Sequence, residues 1–491
     1  MASDSNARPT VAIAGATGFV GTALREALTP QYNLVGLTRS PARARANASP
    51  TAPEVWRHCD LFDLQAVTRA LDGVDYAFYL VHSMHPSSRL TQARMADLDL
   101  LQADNFARAA DAQGVKQILH VGGLIPDRTD LPARLKDRRE VEDTLASGAV
   151  PVTTLRAGLI VGPGGTWLRL LINLVRRLPI MILPGWSSAY TQPVALVDVV
   201  RALRHCLGNP SAYNAAYDIG GPDRMTYREM VERTAATLGL TRRIATAPIS
   251  VPTLSKLWIC LFGSAPWALV SPLVDRMYYQ GRVSLNPVQE WLLEGATSYE
   301  NALRTSVDGV GRPYPNPRDA LRETDDALIR SASVARSVQR LPLPPGWTAR
   351  KVANEYIRWL PTVGVPFLNC TVSYGRVVRF LIPGLDLPLL ELQFAADRSP
   401  EGRQLFHVTG GWLSDSGSTQ RGRLEFRQAL KGKNVIAAVH DFSPRLPWAV
   451  YNSTQAIAHL LVMAGFRRHL RRIARLEQEQ SSTSSTQPAW S

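Results

Sequence analysis

The chain has 491 residues, of which 45% are hydrophobic and 20% charged; this excludes an intrinsically disordered protein and predicts about three globular domains. Its net charge of +14 does not indicate a nucleic-acid partner, because only six of the 55 basic residues are lysine and no basic run alternates with aromatic residues. The four cysteines lack the spacing of a zinc site or a disulfide framework, which favours a reducing compartment, the cytoplasm. These cysteines are Cys59, Cys206, Cys260 and Cys370.

Residues 1–9 are polar and lack the apolar core of a secretory signal, so we expect a short disordered N-terminus. The first predicted element, residues 10–21, is a strand that breaks at three glycines and continues as a helix. In such a turn, Gly15 permits the sharp bend, Gly18 lets a pyrophosphate approach the backbone, and Gly21 lets helix and strand pack closely. The pattern predicts a dinucleotide site formed by Gly15, Thr17, Gly18, Phe19, Val20 and Gly21.

The second predicted strand, residues 33–38, ends in Arg39, with Arg43 and Arg45 just beyond. Sites that prefer NAD carry an acidic residue at this distance from the glycines, where it binds the ribose 2′-hydroxyl. An arginine suits a 2′-phosphate instead, so we predict that the site prefers NADP(H) to NAD(H). Arg43 and Arg45 can equally be solvated loop residues.

Polar side chains also follow the third and fourth predicted strands, residues 55–59 and 75–81. The carboxylate of Asp60 is suited to the adenine amino group, although it could instead cap the helix that begins near Asp63. His82 follows a strand apolar enough to be buried on both faces, so it is either a ligand contact or a structural histidine. We therefore add Asp60, Leu61, Val81 and His82 to the predicted cofactor site.

Strands and helices continue to alternate along the chain without hairpin signals. We predict a helix over 95–113, a strand over 117–121, a helix over 134–145 and a strand over 152–161. This alternation is typical of an α/β fold with a doubly wound parallel sheet.

From residue 162 the pattern becomes irregular, as in segments that build a substrate pocket. The 18 residues 257–274 carry no charge, but Pro266 and Pro272 interrupt them. We expect buried helices here, with residues 179–186 and 258–267 supplying an apolar pocket. The alternative is insertion into a membrane or peripheral contact with one.

Apolar periodicity fades over 306–345, which we interpret as a linker. Beyond it, residues 346–477 predict an α+β domain in which an antiparallel sheet grips one long helix, 447–477, and residues 478–491 predict a disordered tail. The predicted strands are 367–380, 387–395, 405–413, 423–429 and 434–442. Five arginines near the end of the helix could complement its dipole or meet an anionic surface. They are Arg467, Arg468, Arg471, Arg472 and Arg475.

Several motifs together resemble the atypical short-chain dehydrogenase/reductase superfamily, and more narrowly those NAD(P)-binding members that carry a C-terminal domain of unknown function. The motifs are GATGFVG (15–21), YLVHSM (79–84), VGGL (121–124), TLRAGLIVG (154–162) and QPVALVDV (192–199). The resemblance implies an NAD(P)-binding domain with its substrate subdomain over 10–305. Residues 345–475 are more loosely similar to START-like helix-grip folds, which enclose apolar ligands.

This chain departs from the superfamily at the catalytic positions. Active members use a serine on the fifth strand and Tyr-x-x-x-Lys on the next helix, where the tyrosine supplies a proton. This sequence has no tyrosine between Tyr79 and Tyr190; Gly122 and Gly123 stand where serine is expected, and Leu135 and Arg139 where tyrosine and lysine are expected. Arg139 can hold ribose hydroxyls but does not release its proton at neutral pH. By this resemblance, Gly122 and Arg139 join the predicted cofactor residues, and His82 and Arg139 are the catalytic candidates.

The remaining charged residues near this helix are assigned structural roles. We expect Lys136 to be solvated, and Glu140 and Glu142 to pair with arginines on the helix surface. Asp198 follows a Pro-Val strand, and we expect it to cap the next helix.

The sequence supports two main hypotheses. The first is an NADP(H)-dependent reductase that acts on a hydrophobic carbonyl, enone or quinone-like substrate. The second is a non-catalytic NADP(H)-binding regulator or assembly factor, which the missing Tyr-x-x-x-Lys favours. A third hypothesis makes the C-terminal domain a lipid or isoprenoid carrier.

Overall fold

The computed structural model describes residues 8–46, 54–82, 88–126, 131–246, 282–321, 333–363, 369–373, 377–382, 384–415 and 422–484, with single positions between residues 253 and 331. The chain divides into two compact units. The N-terminal unit comprises residues 1–84 and 105–325, and the C-terminal unit comprises residues 85–104 and 326–491. The domain predicted over 10–305 therefore differs from the N-terminal unit, because residues 85–104 belong to the other unit.

The described strands before residue 247 include every strand of the predicted parallel sheet. They are β1 (Thr10–Ala14), β2 (Asn33–Thr38), β3 (Glu54–His58), β4 (Tyr76–Tyr79), β5 (Leu90–Ala93), β6 (Gln117–Gly123), β7 (Val152–Ala157), β8 (Ile160–Val161), β9 (Ile180–Leu183), β10 (Tyr190–Thr191), β11 (Val194–Ala195), β12 (Ala215–Ile219), β13 (Met225–Thr226) and β14 (Arg243–Thr246).

The N-terminal unit is built on a seven-stranded sheet in the order β12-β7-β6-β4-β1-β2-β3. All neighbouring strands of this sheet run parallel, which confirms the predicted doubly wound α/β fold. The chain builds outward from β1 to β3 and then returns to the other side of β1 with β4. Ligands of open α/β sheets bind beside such a reversal, at the carboxyl ends of the strands.

Helices connect these strands, as expected for right-handed crossovers. They are α1 (Phe19–Leu28), α2 (Pro41–Ala46), α3 (Leu64–Ala70), α4 (Met95–Ala112), α5 (Ala133–Leu145), α6 (Thr166–Arg177), α7 (Leu196–Cys206), α8 (Tyr227–Thr237), α9 (Pro287–Leu293) and α10 (Tyr299–Arg304). The start of α8 is fixed by a capping box, in which Thr226 and Glu229 satisfy each other's backbone amides.

Apolar runs in the central strands explain why this sheet forms the core of the N-terminal unit. Val11, Ile13, Phe78, Leu119 and Leu155 are all completely buried. Strands covered by helices on both faces show such continuous apolar sequences rather than alternation. The sheet therefore holds the ends of its strands rigidly, which is what a ligand site at their carboxyl edge requires.

Asp198 does not have the capping role expected for it. The carboxylate is buried and accepts hydrogen bonds from the backbone N–H of Thr297, at 2.8 Å, and from Arg201, at 2.9 Å. It therefore ties α7 to the segment before α10. A buried carboxylate is costly unless nearby donors hydrogen-bond to it, and Thr297 supplies one of these donors. Most of the stretch 257–274, for which membrane contact was an alternative, lies outside the described residues. Among the described helices, none combines the length and apolarity that crossing a bilayer requires.

The C-terminal unit contains seven further strands and three further described helices. The strands are β15 (Ala335–Pro342), β16 (Asn369–Ser373), β17 (Val377–Ile382), β18 (Leu385–Phe394), β19 (Arg403–Gly410), β20 (Arg423–Ala429) and β21 (Asn434–Phe442). The helices are α11 (Ala349–Trp359), α12 (Trp448–Ser453) and α13 (Gln455–Ser484).

These strands form an eight-stranded sheet in the order β16-β17-β18-β19-β20-β21-β15-β5. Seven strands pair antiparallel, whereas β5 joins the edge of β15 in parallel, with Leu90 opposite Ala335. Two predictions fail here. Residues 335–342 form the strand β15 instead of part of a linker, because β21 on one side and β5 on the other supply backbone partners. Residues 478–484 continue α13 instead of beginning a disordered tail.

An aromatic cluster fills the space between this sheet and its helices. Tyr356 of α11 lies with its ring centroid 5.2 Å from that of Phe426 and 5.0 Å from that of Phe466 on α13. Trp359 completes the group, 5.2 Å from Phe466. The arrangement matches the expected sheet gripping a long helix, whereas the START-like resemblance stays a prediction.

Charged residues are buried in the same unit. Arg427 on β20 is 1% exposed and donates to Asp104 of α4 and to Glu425, each at 2.6 Å. Glu425 also pairs with Arg403 at 2.6 Å and lies 3.1 Å from the Nε2 atom of His440. Burial opposes ionisation of Glu425, but Arg427, His440 and Arg403 together hold its pKa well below the usual value. The network thus fixes residues 88–104 to the sheet by charge as well as by β5.

Candidate functional site

The turn after β1 can be formed only with glycine at its first position. Gly15 has a φ of +88°, and a Cβ atom there would lie 2.8 Å from the carbonyl oxygen of Leu80. A hydrogen bond of 2.8 Å from the N–H of Gly18 to the Gly15 oxygen closes the turn. Gly15 is thus required both by its conformation and by the close approach of the neighbouring strand.

The third glycine brings α1 against the turn. A Cβ atom on Gly21 would lie 2.2 Å from the Gly15 carbonyl oxygen and 2.9 Å from the Cα of Ala16, which no side chain can satisfy. Gly18 differs, because the Gly15 oxygen at 3.1 Å is the single described atom within 4 Å of its Cβ position. Within the part of the chain that the structure describes, no other atom crowds this position, beside which a phosphate would have to approach.

The first turn of α1 presents backbone N–H groups without intrahelical partners. Gly18 is the N-cap, it offers no side chain, and the first turn contains no acidic residue. The N–H groups of Phe19, Val20 and Gly21 precede the first intrahelical bond, from Thr22 to the Gly18 oxygen. Orphan amides at the positive end of a helix dipole form an anion site. These residues fit the pyrophosphate of a dinucleotide.

Arg39 stands at the carboxyl end of the neighbouring strand β2. It is partly buried and makes no hydrogen bond or ion pair with any residue that the structure describes. Arg43 differs, because it stacks on the ring of Trp56 at 5.4 Å, and Arg45 is exposed on α2. Arg39 is thus the one of these three guanidinium groups that is both near the sheet and available to an anion.

The loop after β3 is shaped by side chains that hold its backbone. A carboxylate oxygen of Asp60 accepts from the N–H of Phe62 at 3.1 Å, while Asp63 caps α3 by accepting from Gln65 at 3.0 Å. Capping of α3 is therefore the role of Asp63, and Asp60 belongs to the loop itself.

Asn105 is a residue that sequence reasoning missed. Its side-chain amide is completely buried and donates to the carbonyl oxygen of Leu61 at 2.8 Å. The sequence feature that could have revealed it is its spacing: Asn105 comes four residues after Leu101, on the same buried face of α4. Such a buried amide fixes the loop in which the predicted adenine contacts Asp60 and Leu61 lie.

The end of β4 carries the next two predicted residues. The strand ends at Tyr79, and the N–H of Leu80 donates to the Ala14 oxygen at 3.0 Å, which continues the pairing with β1. Val81 is partly buried and His82 is exposed, so both follow the sheet at its carboxyl edge. His82 is therefore accessible to solvent and is not a buried structural histidine.

Gly122 on β6 lies against an unexpected carboxylate. A Cβ atom there would be 2.8 Å from Oε1 of Glu142 and 3.7 Å from Nε2 of His120. The imidazole of His120 is itself fixed, with Nδ1 2.9 Å from the carbonyl oxygen of Tyr79. The space that a serine side chain would use in the resembling superfamily is therefore filled by Glu142 of α5.

Glu142 was expected on the helix surface, and this prediction is wrong. Its Oε2 accepts from Arg156 of β7 at 2.8 and 3.0 Å, and its buried Oε1 has no partner among the described residues. Burial raises the pKa of Glu142, although Arg156 and Arg139 act in the opposite direction. The reason for the burial is Arg156, whose position beside Gly122 in the β6–β7 register offers the carboxylate a partner under the helix.

The helix α5 offers no acid in the place of the usual tyrosine. Leu135 is buried in a small apolar cluster with Ile125 and Leu131, and Lys136 is exposed. Arg139 is partly buried, with its Nε atom buried and unpartnered among the described residues. A guanidinium with a spare donor can hold a hydroxyl or phosphate oxygen, so Arg139 retains the capacity that the sequence predicts for it.

The sheet order brings most of the predicted residues onto one edge. The Gly15–Gly21 turn follows β1, Arg39 follows β2, Asp60 follows β3, His82 follows β4, and Gly122 lies near the end of β6. These five strands are adjacent, in the order β3-β2-β1-β4-β6. The predicted cofactor residues at the ends of these strands thus form a continuous row along one edge of the sheet.

The segment 179–186, predicted to line a substrate pocket, contains the strand β9, whose side chains alternate between exposed and buried. In β9, Met181 and Leu183 are buried, whereas Ile180 and Ile182 are each 59% exposed. Most of residues 258–267 lie outside the described residues. The described part of this region thus contributes exposed aliphatic side chains, which water disfavours.

Residues 15–168 match a protein family described as NAD(P)H-binding. The matched segment contains every residue predicted for the cofactor site, from Gly15 to Arg139. The N-terminal unit therefore has a Rossmann-like α/β fold, part of which is similar to the NAD(P)H-binding family.

A curated relative, the auxiliary protein GraX of Staphylococcus aureus, is 30% identical to this chain over 116 residues. The alignment covers 24% of this chain and 37% of GraX, so this chain spans little more than a third of that relative.

Two solved structures are among those to which this chain is similar. Triphenylmethane reductase of Citrobacter sp., complexed with NADP(H), is 16% identical, with a TM-score of 0.49 over 61% of this chain and 100% of that chain. The NADPH-dependent quinone oxidoreductase QOR2 of Escherichia coli, complexed with NADPH, is 22% identical, with a TM-score of 0.47 over 59% and 96%. At these identities the similarity concerns the fold alone.

Proposed function

We propose that this chain is an NADP(H)-dependent reductase of a hydrophobic carbonyl, enone or quinone-like substrate. The observation that carries the proposal is the open phosphate turn at Gly18, aligned on one sheet edge with Arg39 and with the Gly122 position. The amides of Phe19 to Gly21 would hold the pyrophosphate, Arg39 the 2′-phosphate, and Arg139 a ribose hydroxyl. When bound, NADPH supplies the hydride.

The preference for NADP(H) depends on Arg39, whose guanidinium has no partner among the described residues. We expect Arg39→Asp to weaken NADPH binding about 10- to 100-fold, because a charge-assisted hydrogen bond is replaced by repulsion. NADH lacks the 2′-phosphate, so its affinity should change less than about threefold. Fluorescence titration with each nucleotide measures both constants.

Arg45→Asp is the matched control, since Arg45 is exposed on α2 and carries the same charge. It should leave both affinities nearly unchanged. Equal losses for NADPH and NADH in Arg39→Asp would contradict the assignment of Arg39 to the phosphate.

The class of acceptor follows from what this site lacks. No tyrosine occurs between Tyr79 and Tyr190, and Glu142, the buried carboxylate beside Gly122, pairs with Arg156 through one of its two oxygens. Reduction of an isolated ketone needs a proton donor at the developing oxyanion. A quinone or enone spreads that charge over a conjugated system, so a water molecule or the exposed His82 suffices as the proton source. The exposed Ile180 and Ile182 support a hydrophobic acceptor.

A second candidate is a non-catalytic NADP(H)-binding regulator or assembly factor. Two observations favour it: Leu135 is buried where the acid is expected, and Glu142 fills the space beside Gly122. The partial relative GraX is likewise described as an auxiliary protein rather than by a reaction. Under this candidate the same turn binds the nucleotide without turnover.

A substrate panel separates the two candidates. We expect the purified full chain to bind NADPH and to oxidise it with quinones or enones more than about tenfold faster than with simple aldehydes. Turnover is followed by NADPH absorbance and binding by fluorescence, with Gly18→Asp as the blank for both. Binding without consumption across the whole panel would favour the regulator, and equal rates with aldehydes would contradict the acceptor class.

A further inference from the structure

The two faces of α13 differ from those of an ordinary surface helix. Its inner face packs on the sheet, with Ala456, Met463, Phe466 and Leu470 almost completely buried. A helix that is buried on one side is expected to be polar on the other. The outer face of α13 instead begins with exposed aliphatic residues, among them Ile457 at 49% and Leu461 at 68% exposure.

The same outer face continues as a cluster of arginines. Arg468, Arg471, Arg472 and Arg475 are exposed, and with Leu476 and Glu479 they line a surface depression of about 410 Å³. None of these four guanidinium groups makes a hydrogen bond or ion pair with a residue that the structure describes. Four positive charges within eight residues, against the one carboxylate of Glu479 in the same depression, create a net positive local field that attracts anions.

Helical geometry places both parts on one stripe. Positions 457, 461, 464, 468, 471 or 472 and 475 follow one another at spacings of three or four residues, which share a face of a helix. At a rise of 1.5 Å per residue the stripe is about 27 Å long. We call these exposed residues, Ile457, Leu460, Leu461, Arg468, Arg471, Arg472, Arg475 and Leu476, the outer stripe.

We propose that the outer stripe of α13 docks on an anionic lipid bilayer surface. Aliphatic side chains next to unpaired arginines are the combination by which amphipathic helices bind membrane interfaces. The arginines match the negative charge of anionic headgroups, and Ile457, Leu460 and Leu461 can enter the adjoining acyl boundary. This activity is independent of the nucleotide site and requires no membrane-spanning segment.

Two other partners fit the stripe less well. A nucleic acid would use the arginines but gains little from leucine and isoleucine, and the stripe lacks the aromatic side chains that stack on bases. A second copy of the chain would bury arginines against arginines or against the aliphatic part, which leaves desolvated charges without partners. A bilayer surface satisfies both chemistries at once.

The test uses the full chain and vesicle co-sedimentation. We expect binding to vesicles of about 30% phosphatidylglycerol in phosphatidylcholine, weak binding to pure phosphatidylcholine, and release at high salt. Each arginine near such a surface changes the partition coefficient about fivefold. The double variant Arg471→Gln/Arg472→Gln should therefore bind about 25-fold more weakly, and Leu461→Ser about tenfold more weakly.

The matched control is Arg350→Gln/Arg358→Gln, which removes the same charge from exposed positions of α11. It should bind like the unmodified chain, and thermal unfolding should be the same for all variants. Equal losses in this control would overturn the proposal, because net charge alone would then explain binding. So would absence of vesicle binding, tighter binding to single-stranded RNA than to vesicles, or dimerisation in solution that Leu461→Ser abolishes.

Discussion

Replacing Gly18 with aspartate is expected to weaken NADPH binding about 100-fold or more while leaving the fold intact. Gly18 has a φ of −79° and a ψ of 176°, which any residue can adopt, and among the described atoms its Cβ position meets only the Gly15 oxygen, at 3.1 Å, which would have to shift by a few tenths of an ångström. Aspartate is a favourable N-cap, so α1 should become slightly more stable. Its carboxylate, however, would accept from the orphan amides of the first turn and repel the pyrophosphate.

Gly18→Ser is the informative companion to this variant. Serine can cap α1 in the same way but carries no charge, so it should weaken NADPH binding less than aspartate does. Fluorescence titration gives the affinities, and thermal unfolding reports the integrity of both variants. Undiminished NADPH binding in Gly18→Asp would remove the phosphate turn from the proposed function.

The second large effect concerns the buried charges of the C-terminal unit. We expect Arg427→Met to lower the free energy of unfolding of the C-terminal unit by about 3 to 5 kcal/mol. The reason is that the carboxylates of Asp104 and Glu425 stay buried after their shared partner is removed. Methionine has a similar length and is uncharged, so lost packing contributes little. Urea unfolding, followed by the tryptophans near the aromatic cluster, measures the change.

Arg379→Met is the control, since Arg379 pairs with Glu391 at the exposed surface of the same sheet. It should change the free energy by less than about 1 kcal/mol. The pH dependence gives a further check. Because the folded pKa of Glu425 is depressed, its stabilisation is present above its usual pKa of 4.5 and is lost as the pH falls through the depressed value. Arg427→Met should therefore lose less stability in acid, and an unchanged acid profile would argue against the network.

The turn at Gly15 could be predicted because its determinants are local. A positive φ at Gly15 and contact between α1 and the turn at Gly21 are consequences of a few consecutive residues. The parallel sheet followed from apolar strands alternating with helices. Their order along the edge then brought Arg39, Asp60 and His82 to the expected side.

The position of Glu142 could not be predicted, because its burial depends on a distant strand. The surrounding α5 sequence is mostly charged or polar and suggests a solvated helix. The β6–β7 register places Arg156 beside Gly122 on the neighbouring strand. Because Gly122 has no side chain, the carboxylate of Glu142 can occupy the space next to it. Asp198 was misassigned for the same reason, since the amide of Thr297 comes from 99 residues away.

The strands β5 and β15 were missed because neither carries a strong pattern of its own. The sequence of β5, Leu-Thr-Gln-Ala, is short, and β15 is followed by prolines that suggest a linker. What makes them strands is their mutual pairing across 245 residues, from Gln92 to Ser337. Such pairing is invisible to any local analysis.

This pairing has a consequence for biosynthesis. At a translation rate of 5 to 20 residues per second, residues 90–93 leave the ribosome about 10 to 50 s before the strand that will receive them. During that interval an early segment of the nascent chain has no acceptor, and its backbone groups are open to wrong partners. Expressing residues 1–325 alone would make that waiting state permanent, whereas expressing 326–491 alone would omit Asp104, one of the two carboxylates that pair with Arg427.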